Sequence, residues 1–157
     1  MNNPMINRQM LFTQAGLDQL RSELSQIQEV RRPALVERLA LARSMGDLSE
    51  NSDYQSARED LTFMDGRISE LEDLIKTAQV VKPSQNGKIE IGHAVTVKVN
   101  SHDAVFHIVG EWEADPKQYK ISHSSPLGQA LVGKKIGDKA EVAAPAGKLV
   151  YTVVSIS

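Results

Sequence analysis

The stretch YQSAREDLTFMDGRISELEDLIKTA, Tyr54 to Ala78, decides the fold. Its apolar residues Tyr54, Ala57, Leu61, Met64, Ile68, Leu71, Ile75 and Ala78 recur at alternating steps of three and four. That spacing lines them up on one stripe of a helix and marks a coiled-coil seam. Upstream, Leu17, Leu20, Leu24 and Ile27 keep the same rhythm. Beyond Ile27 the register is lost: Arg31 takes the expected position, and Leu35, Leu39 and Ala42 continue on a shifted seam. Pro33 lies nearby, and inside a helix it deletes a backbone bond, so a local kink is expected.

The two periodic arms meet at SMGDLSEN, Ser44 to Asn51. Gly46 suits the position just past a helix C-terminus, and Asp47 suits the N-cap of the next helix. So short a connection makes the arms antiparallel neighbours. From Thr13 to Met45 the first arm would run roughly 50 Å. After Val81 the pattern changes. The turn-rich run KPSQNG, Lys82 to Gly87, reads as a linker. Short β-rich runs follow at Ala94–Val99, Val105–Val109, Tyr119–Ile121, Ala140–Ala143 and Leu149–Ile156, separated by turn residues. Pro126–Val132 reads as one short helix with Ser124 or Ser125 as cap and Gly133 as stop. The expected fold class is therefore α+β: residues 1–81 form a long antiparallel two-helix coiled-coil hairpin, and residues 82–157 a small antiparallel β-sheet domain with one short helix.

The 157 residues contain no cysteine, which removes disulfides, thiolate metal sites and cysteine nucleophiles. The opening MNNPMINRQM has no apolar core of a signal peptide, and no run approaches the ~20 apolar residues of a membrane span. A cytoplasmic protein that does not enter membranes is expected. Net charge is −2, against the basic excess of a general nucleic-acid binder. All eight arginines lie in residues 1–83, where a forked guanidinium could still meet phosphate locally. Equally, arginine is a good helix former, and composition alone favours that use. P-loop, dinucleotide-binding, nucleophile-elbow and zinc-protease patterns are missing. The four histidines show no ligand spacing, and Trp112 reads as a turn-packing residue.

Chemistry concentrates at the hairpin tip, where Asp47, Glu50 and Asp53 lie within seven residues. Asp47-x-x-Glu50 has the form of a capping box, and acids favour a helix N-terminus in any case. Alternatively, these oxygens face outward as magnesium ligands. Two or three carboxylates cannot complete an octahedral magnesium site, so such a tip is half a site that needs a second protein and a phosphate. Pairing with carboxylates along the arms would account for Arg31 and Arg38. Arg43 and Arg58 approach the tip from the two arms and are better placed for an RNA phosphate.

Two runs carry a resemblance. RRPALVERLALARSMGDLSENSDYQSAREDLTFMDGRISELEDLI, Arg31 to Ile75, resembles the coiled-coil domain of the Gre transcript-cleavage factors, and ISHSSPLGQALVGKKIGDKAEV, Ile121 to Val142, resembles their C-terminal domain. GDL-x-EN at the tip with SP-x5-L-x-GK downstream is the specific combination. The resemblance implies an FKBP-like fold for the second domain and a transcription elongation factor that enters the secondary channel of bacterial RNA polymerase. There it would stimulate the polymerase's own magnesium-dependent cleavage of backtracked RNA 3′ ends, as a cofactor and not as an enzyme by itself. Asp47 and Glu50 match the metal-assisting acids, sharing a magnesium ion only within the complex. Arg43, Asn51, Tyr54 and Arg58 match the tip surroundings that support RNA. Ser124, Ser125 and Pro126 match the loop facing the channel rim, and a monomer is expected. Ser49 and Asp53 depart from the Lys and Glu common there. The alternative function is a Gre-like secondary-channel inhibitor without cleavage activity, against which the intact Asp47–Glu50 pair speaks. A prolyl isomerase and a purely structural coiled-coil adaptor are more distant alternatives.

Overall fold

The computed structural model describes residues 10–47 and 50–157. Its contacts divide the chain into two compact units, residues 17–77 and a sheet unit made of the remainder. Helix α1 (Gln14–Gln26) runs through a π-helical turn (Ile27–Arg31) into α2 (Arg32–Ser44), and α3 (Ser52–Thr77) returns.

The π turn explains the shifted seam. Eight residues separate Ile27 from Leu35 where a heptad allows seven. A π turn bonds one residue further back than an α turn, and Arg32 N–H donates to the Ile27 carbonyl accordingly. One surplus residue is thereby absorbed, so Leu17, Ile27, Leu35 and Ala42 are all buried. Ala57, Leu71 and Leu74 are buried on α3. The irregularity expected near Pro33 takes the form of this π turn. The backbone stays α-helical at Gln26, Arg31 and Arg32, and Pro33, which has no N–H to give, lies just after the π turn, at the start of α2. Ion pairs flank the seam: Arg32 to Asp65 at 2.7 Å, Arg38 to Asp53 at 2.7 Å and Asp60 at 3.1 Å, and Arg67 to Glu23 at 2.8 Å. Arg38 pairs as expected, whereas Arg32 takes the pairing expected of Arg31. These partners are exposed or half-buried, so screening leaves each pair worth little.

In the sheet unit, β3 (Ala94–Val99), β4 (His102–Val109), β5 (Lys120–Ser122), β6 (Lys139–Ala144) and β7 (Gly147–Ile156) form one sheet in the order β5-β4-β3-β7-β6. The expectation of an antiparallel sheet holds for three pairings, but β4 and β5 run parallel, with Ile108 beside Ile121. A two-turn crossover through residues 111–118 carries the chain back to the same end and makes that direction possible. The bulge between Thr96 and Val97 shifts the β3–β7 register by one residue. Val95, Val97, Ile108, Leu131, Ala140 and Val153 are buried with Ile89 and Ile91 from the segment before β3. Phe106 lies over this core with Tyr119 and Tyr151, ring centroids 6.1 and 6.3 Å away.

Two further strands were not legible in the sequence. Met10–Phe12 (β1) pairs in parallel with Ala78–Val80 (β2), and Val81 N–H donates to the Phe12 carbonyl. Ala78, read as the last heptad position, is therefore a strand residue paired with Met10. The same pairing draws residues 10–16 and 78–81 into the compact sheet unit. Glu113 fastens this region: its carboxylate accepts from Thr13 N–H at 2.8 Å, from the Thr13 hydroxyl and from Gly110 N–H at 3.3 Å. Thr13 in turn caps α1 through Gly16 N–H. The KPSQNG segment is pinned by Glu90, which accepts from the Ser84 N–H and hydroxyl and from Asn86.

Two outcomes follow. Deleting Glu29 removes the surplus residue and leaves an unbroken heptad, so the hairpin should keep its helicity and melt no lower than the parent by circular dichroism. The Ser84 backbone and hydroxyl hold the Glu90 carboxyl below the usual glutamate range, with Asn86 and His93 adding to it. A lowered folded pKa means stability present above the unfolded value and lost as pH falls through the folded one. Glu90→Gln should therefore flatten the acid limb of a stability–pH curve, and NMR titration of Glu90 should give a midpoint below that of a free glutamate.

Candidate functional site: the hairpin tip and the Ser122–Pro126 loop

The tip is a seven-residue loop between Ser44 and Ser52. Helix α2 closes with Met45 N–H on the Ala42 carbonyl. Gly46 then adopts φ +139°, a conformation that a side chain would strain, and turns the chain out of the helix. Asp47 and Glu50 follow, both exposed; Leu48 and the departure at Ser49 lie outside the described residues.

The cap of α3 is Asn51. Its side-chain oxygen accepts from Tyr54 N–H at 3.1 Å, the geometry of an N-cap on the third helical residue. Its amide nitrogen donates to the Ala42 carbonyl at 2.6 Å, tying the start of one arm to the end of the other. One amide thus satisfies an orphan donor of α3 and an orphan acceptor of α2. The expectation of Asp47 as N-cap is corrected: α3 begins five residues further on, and Asn can bridge both ends because it donates as well as accepts, which Asp cannot.

Around this loop, Arg43 is exposed in the last turn of α2, Tyr54 is half-buried and Arg58 is exposed two turns into α3. Asp53, grouped with the tip acids from its spacing, is committed to Arg38. Among the described residues, no group of three or more histidines and acids could hold a metal ion. Asp47 and Glu50 are two carboxylates, fewer ligands than an octahedral magnesium ion takes.

The second site lies at the start of α4 (Pro126–Leu131). Ser125 is its N-cap: the hydroxyl accepts from Gly128 N–H at 3.0 Å and donates to the Ser122 carbonyl at 2.7 Å. Pro126 occupies the first helical position, exposed, where its fixed φ suits the helix. Ser124 is exposed and held by the Ser122 hydroxyl, with the two oxygens 2.8 Å apart. Ser122, not singled out from the sequence, organises the loop. A Cβ at Gly128 would stand 1.9 Å from the Ser122 carbonyl oxygen, so only glycine lets α4 approach this closely. Beside it, His123 keeps a buried Nδ1 without a partner among the described residues.

Comparison with known proteins identifies the class. Residues 10–80 match the N-terminal model of the GreA/GreB transcription elongation factors and residues 84–157 the C-terminal model. The chain belongs to the GreA/GreB transcription elongation factor family. Among its relatives, transcription elongation factor GreA of Hyphomonas neptunium is 46% identical, covering 92% of this chain and 95% of that protein. GreA of Neisseria meningitidis serogroup B is 44% identical over the same shares. GreA of Bacillus cereus is 40% identical, covering 92% and 94%. GreA factor homolog 1 of Thermus thermophilus, a solved structure, is 27% identical with a TM-score of 0.45, covering 96% of this chain and 99% of that one.

If Asn51 bridges the arms, Asn51→Ala should cost about 1 kcal/mol for the lost cap and more for the orphaned Ala42 carbonyl. Urea melts of the hairpin should register that loss, whereas Glu50→Ala should leave the midpoint nearly unmoved.

Proposed function

We propose that this transcription elongation factor acts with bacterial RNA polymerase by entering its secondary channel and stimulating magnesium-dependent cleavage of backtracked RNA 3′ ends. The observation that carries this reading is the tip: Asn51 supplies the cap and the arm-to-arm bond, so α3 does not require Asp47 or Glu50 for its start. Asp47 and Glu50 are exposed beside this link, carboxylates at the end of the hairpin. Family membership agrees with this reading, and relatives bearing the GreA name favour it over the channel inhibitor.

Asp47 and Glu50 fit a share in a magnesium site, since carboxylate oxygens are its preferred protein ligands and a phosphate and waters complete it. When bound there, the ion supplies charge neutralisation and an acidified water for phosphodiester hydrolysis. Asp47 and Glu50 orient that water and accept its hydrogen bonds. Arg43 and Arg58 hold the phosphates flanking the scissile one through their forked guanidinium donors. The water oxygen bonds to phosphorus, the bond to the upstream 3′ oxygen breaks, and that oxygen takes a proton to become the new RNA 3′ end. Polymerase contributes the rest of the catalytic centre, so the chain acts as a cofactor of that enzyme. The exposed edge Ser124–Pro126, rigidified through Ser122 and Gly128, is the surface that would meet the channel rim, with the chain acting as a monomer in the cytoplasm. No helix among the described residues is long and apolar enough to cross a membrane.

The double variant Asp47→Ala/Glu50→Ala should lose stimulated cleavage by at least a hundredfold on a stalled, backtracked elongation complex, while its affinity for polymerase and its melting midpoint stay close to the parent. Normal cleavage by that variant would remove the acids from the chemistry, and lost affinity would reassign them to docking.

A further inference from the structure

Two exposed apolar pairs, Val132 with Ile136 and Leu41 with Met45, take no part in the cleavage chemistry or in the Ser122–Pro126 loop. The first pair lies after α4. Lys135–Asp138 is a tight turn closed by Asp138 N–H on the Lys135 carbonyl at 3.0 Å. Gly137, at φ +92°, takes its third position, the glycine place of a type II turn. The Asp138 carboxylate accepts from Lys135 N–H at 2.9 Å, and Gly137 N–H donates to the Val153 carbonyl at 2.8 Å. The turn is thus fastened to itself and to β7. Its second residue, Ile136, is 62% exposed, and Val132 at the end of α4 is 40% exposed. A hydrogen-bonded turn that holds an isoleucine out in water is a preorganised contact, because little freedom is left to lose when a partner covers it.

Lysines frame this pair. Lys134, Lys135 and Lys139 belong to the turn and its flanks, and the bond from Ile89 N–H to the Lys134 carbonyl brings Lys88 beside them. Among the described residues none of the four is in an ion pair. Phosphates would satisfy the lysines but have no use for Ile136 and Val132, and no residue from Val132 to Lys139 is an aromatic on which a base could stack. An apolar centre with a cationic rim calls instead for a protein surface with an apolar centre and an anionic rim.

The end of the hairpin offers that complement. Leu41 and Met45, 60% and 73% exposed, are one turn apart on α2, and the exposed Glu37 lies one turn before them on the same face. Asp47 and Glu50 follow in the loop. Arg43, two residues after Leu41, is turned about 200° from it, on the far side of the helix. Leu35 and Ala42 fill the seam, which leaves Leu41 and Met45 facing water. The wider charge agrees: residues 17–77 carry eight basic against thirteen acidic side chains, a net of −5, and residues 84–157 eight against seven, a net of +1.

We propose that the free chain associates with a second copy of itself, the Glu37–Leu41–Met45 face and acidic loop of one hairpin seating on Val132, Ile136 and their lysines in the next copy. Each copy carries one surface of each kind, so the contact is heterologous. Two aliphatic pairs with charged rims fall short of the ~800 Å² per partner of a standard stable interface. The association is therefore weak, belongs to high protein concentration, and gives way to the monomer that acts on polymerase. It covers the hairpin tip while the chain is free. The inference stands apart from the cleavage reading, since exposure and charge alone carry it.

Sedimentation equilibrium of the full chain at low salt should show a weight-average mass that rises between about 1 µM and 1 mM. Near 1 M salt, where the Debye length is about 3 Å, the rise should move to at least tenfold higher concentration. Lys135→Glu/Ile136→Ser removes the receiving surface, and Leu41→Ser/Met45→Ser the inserting one. Each variant should stay monomeric where the parent associates, with a parent-like melting midpoint. A mixture of the two should regain a 1:1 species, because each keeps the surface that the other lacks. A parent that is monomeric throughout would overturn the proposal. A mixture that stays monomeric would overturn it too, pointing to like faces packed together, as would association that strengthens with salt. A short oligouridylate that shifts the amide NMR signals of Lys134–Asp138 more than a second copy does would reassign the lysines to nucleic acid and refute the contact.

Discussion

Closure of an apolar seam between two helices of unequal phase governs the helical unit. The returning arm keeps an unbroken heptad, while the outgoing arm carries one residue too many between Ile27 and Leu35. A continuous α-helix would swing the outer half of that arm about 80° off the seam, because each residue turns the helix through 100°. Leu35 and Ala42 would then leave the seam. The π turn at Ile27–Arg31 takes up the surplus residue, and both side chains remain buried. The phase at which Arg43 and Ala42 arrive at the tip therefore depends on a single turn of non-α helix more than two turns away.

That phase matters because the tip is tied from both sides. The Ala42 carbonyl must face Asn51 for the amide to bridge the arms at 2.6 Å. With this bond in place, the cap of α3 is met by a neutral side chain, and acidic groups in the preceding loop remain exposed. The same economy operates at the start of α4, where Ser125 serves as cap and as a link to Ser122. In both loops one short polar side chain closes a helix end and a neighbouring backbone group together. Exposed residues, Asp47 and Glu50 in one loop and Ser124 and Pro126 in the other, stand beside these links.

Much of the architecture was legible along the chain. The heptads of α3, the turn at Gly46, the five strands of the main sheet and the Ser125–Pro126 start of α4 all follow from short-range patterns that a local reading detects. Ile89 and Ile91 were not assigned to the core, since they lie in a segment without strand pairing and carry only two apolar positions. The GDL-x-EN and SP-x5-L-x-GK patterns pointed to the family independently of these details.

The sequence by itself determined the elements whose causes are local: helix periodicity, turn glycines, alternating strands and the identity of the exposed acids. Tertiary structure decided whatever depends on partners far apart in the chain. The parallel pairing of Met10–Phe12 with Ala78–Val80 joins segments separated by 65 residues and carries no turn signal. Glu113 meets Thr13 across 100 positions. The surplus residue after Ile27 could have been met by a kink at Pro33 or by a π turn, and the demand of the facing arm for a continuous seam chose the turn. Asp47 and Asn51 both suit a cap by type, and Asn51 took it because only an amide can accept from Tyr54 N–H while donating to the Ala42 carbonyl on the other arm.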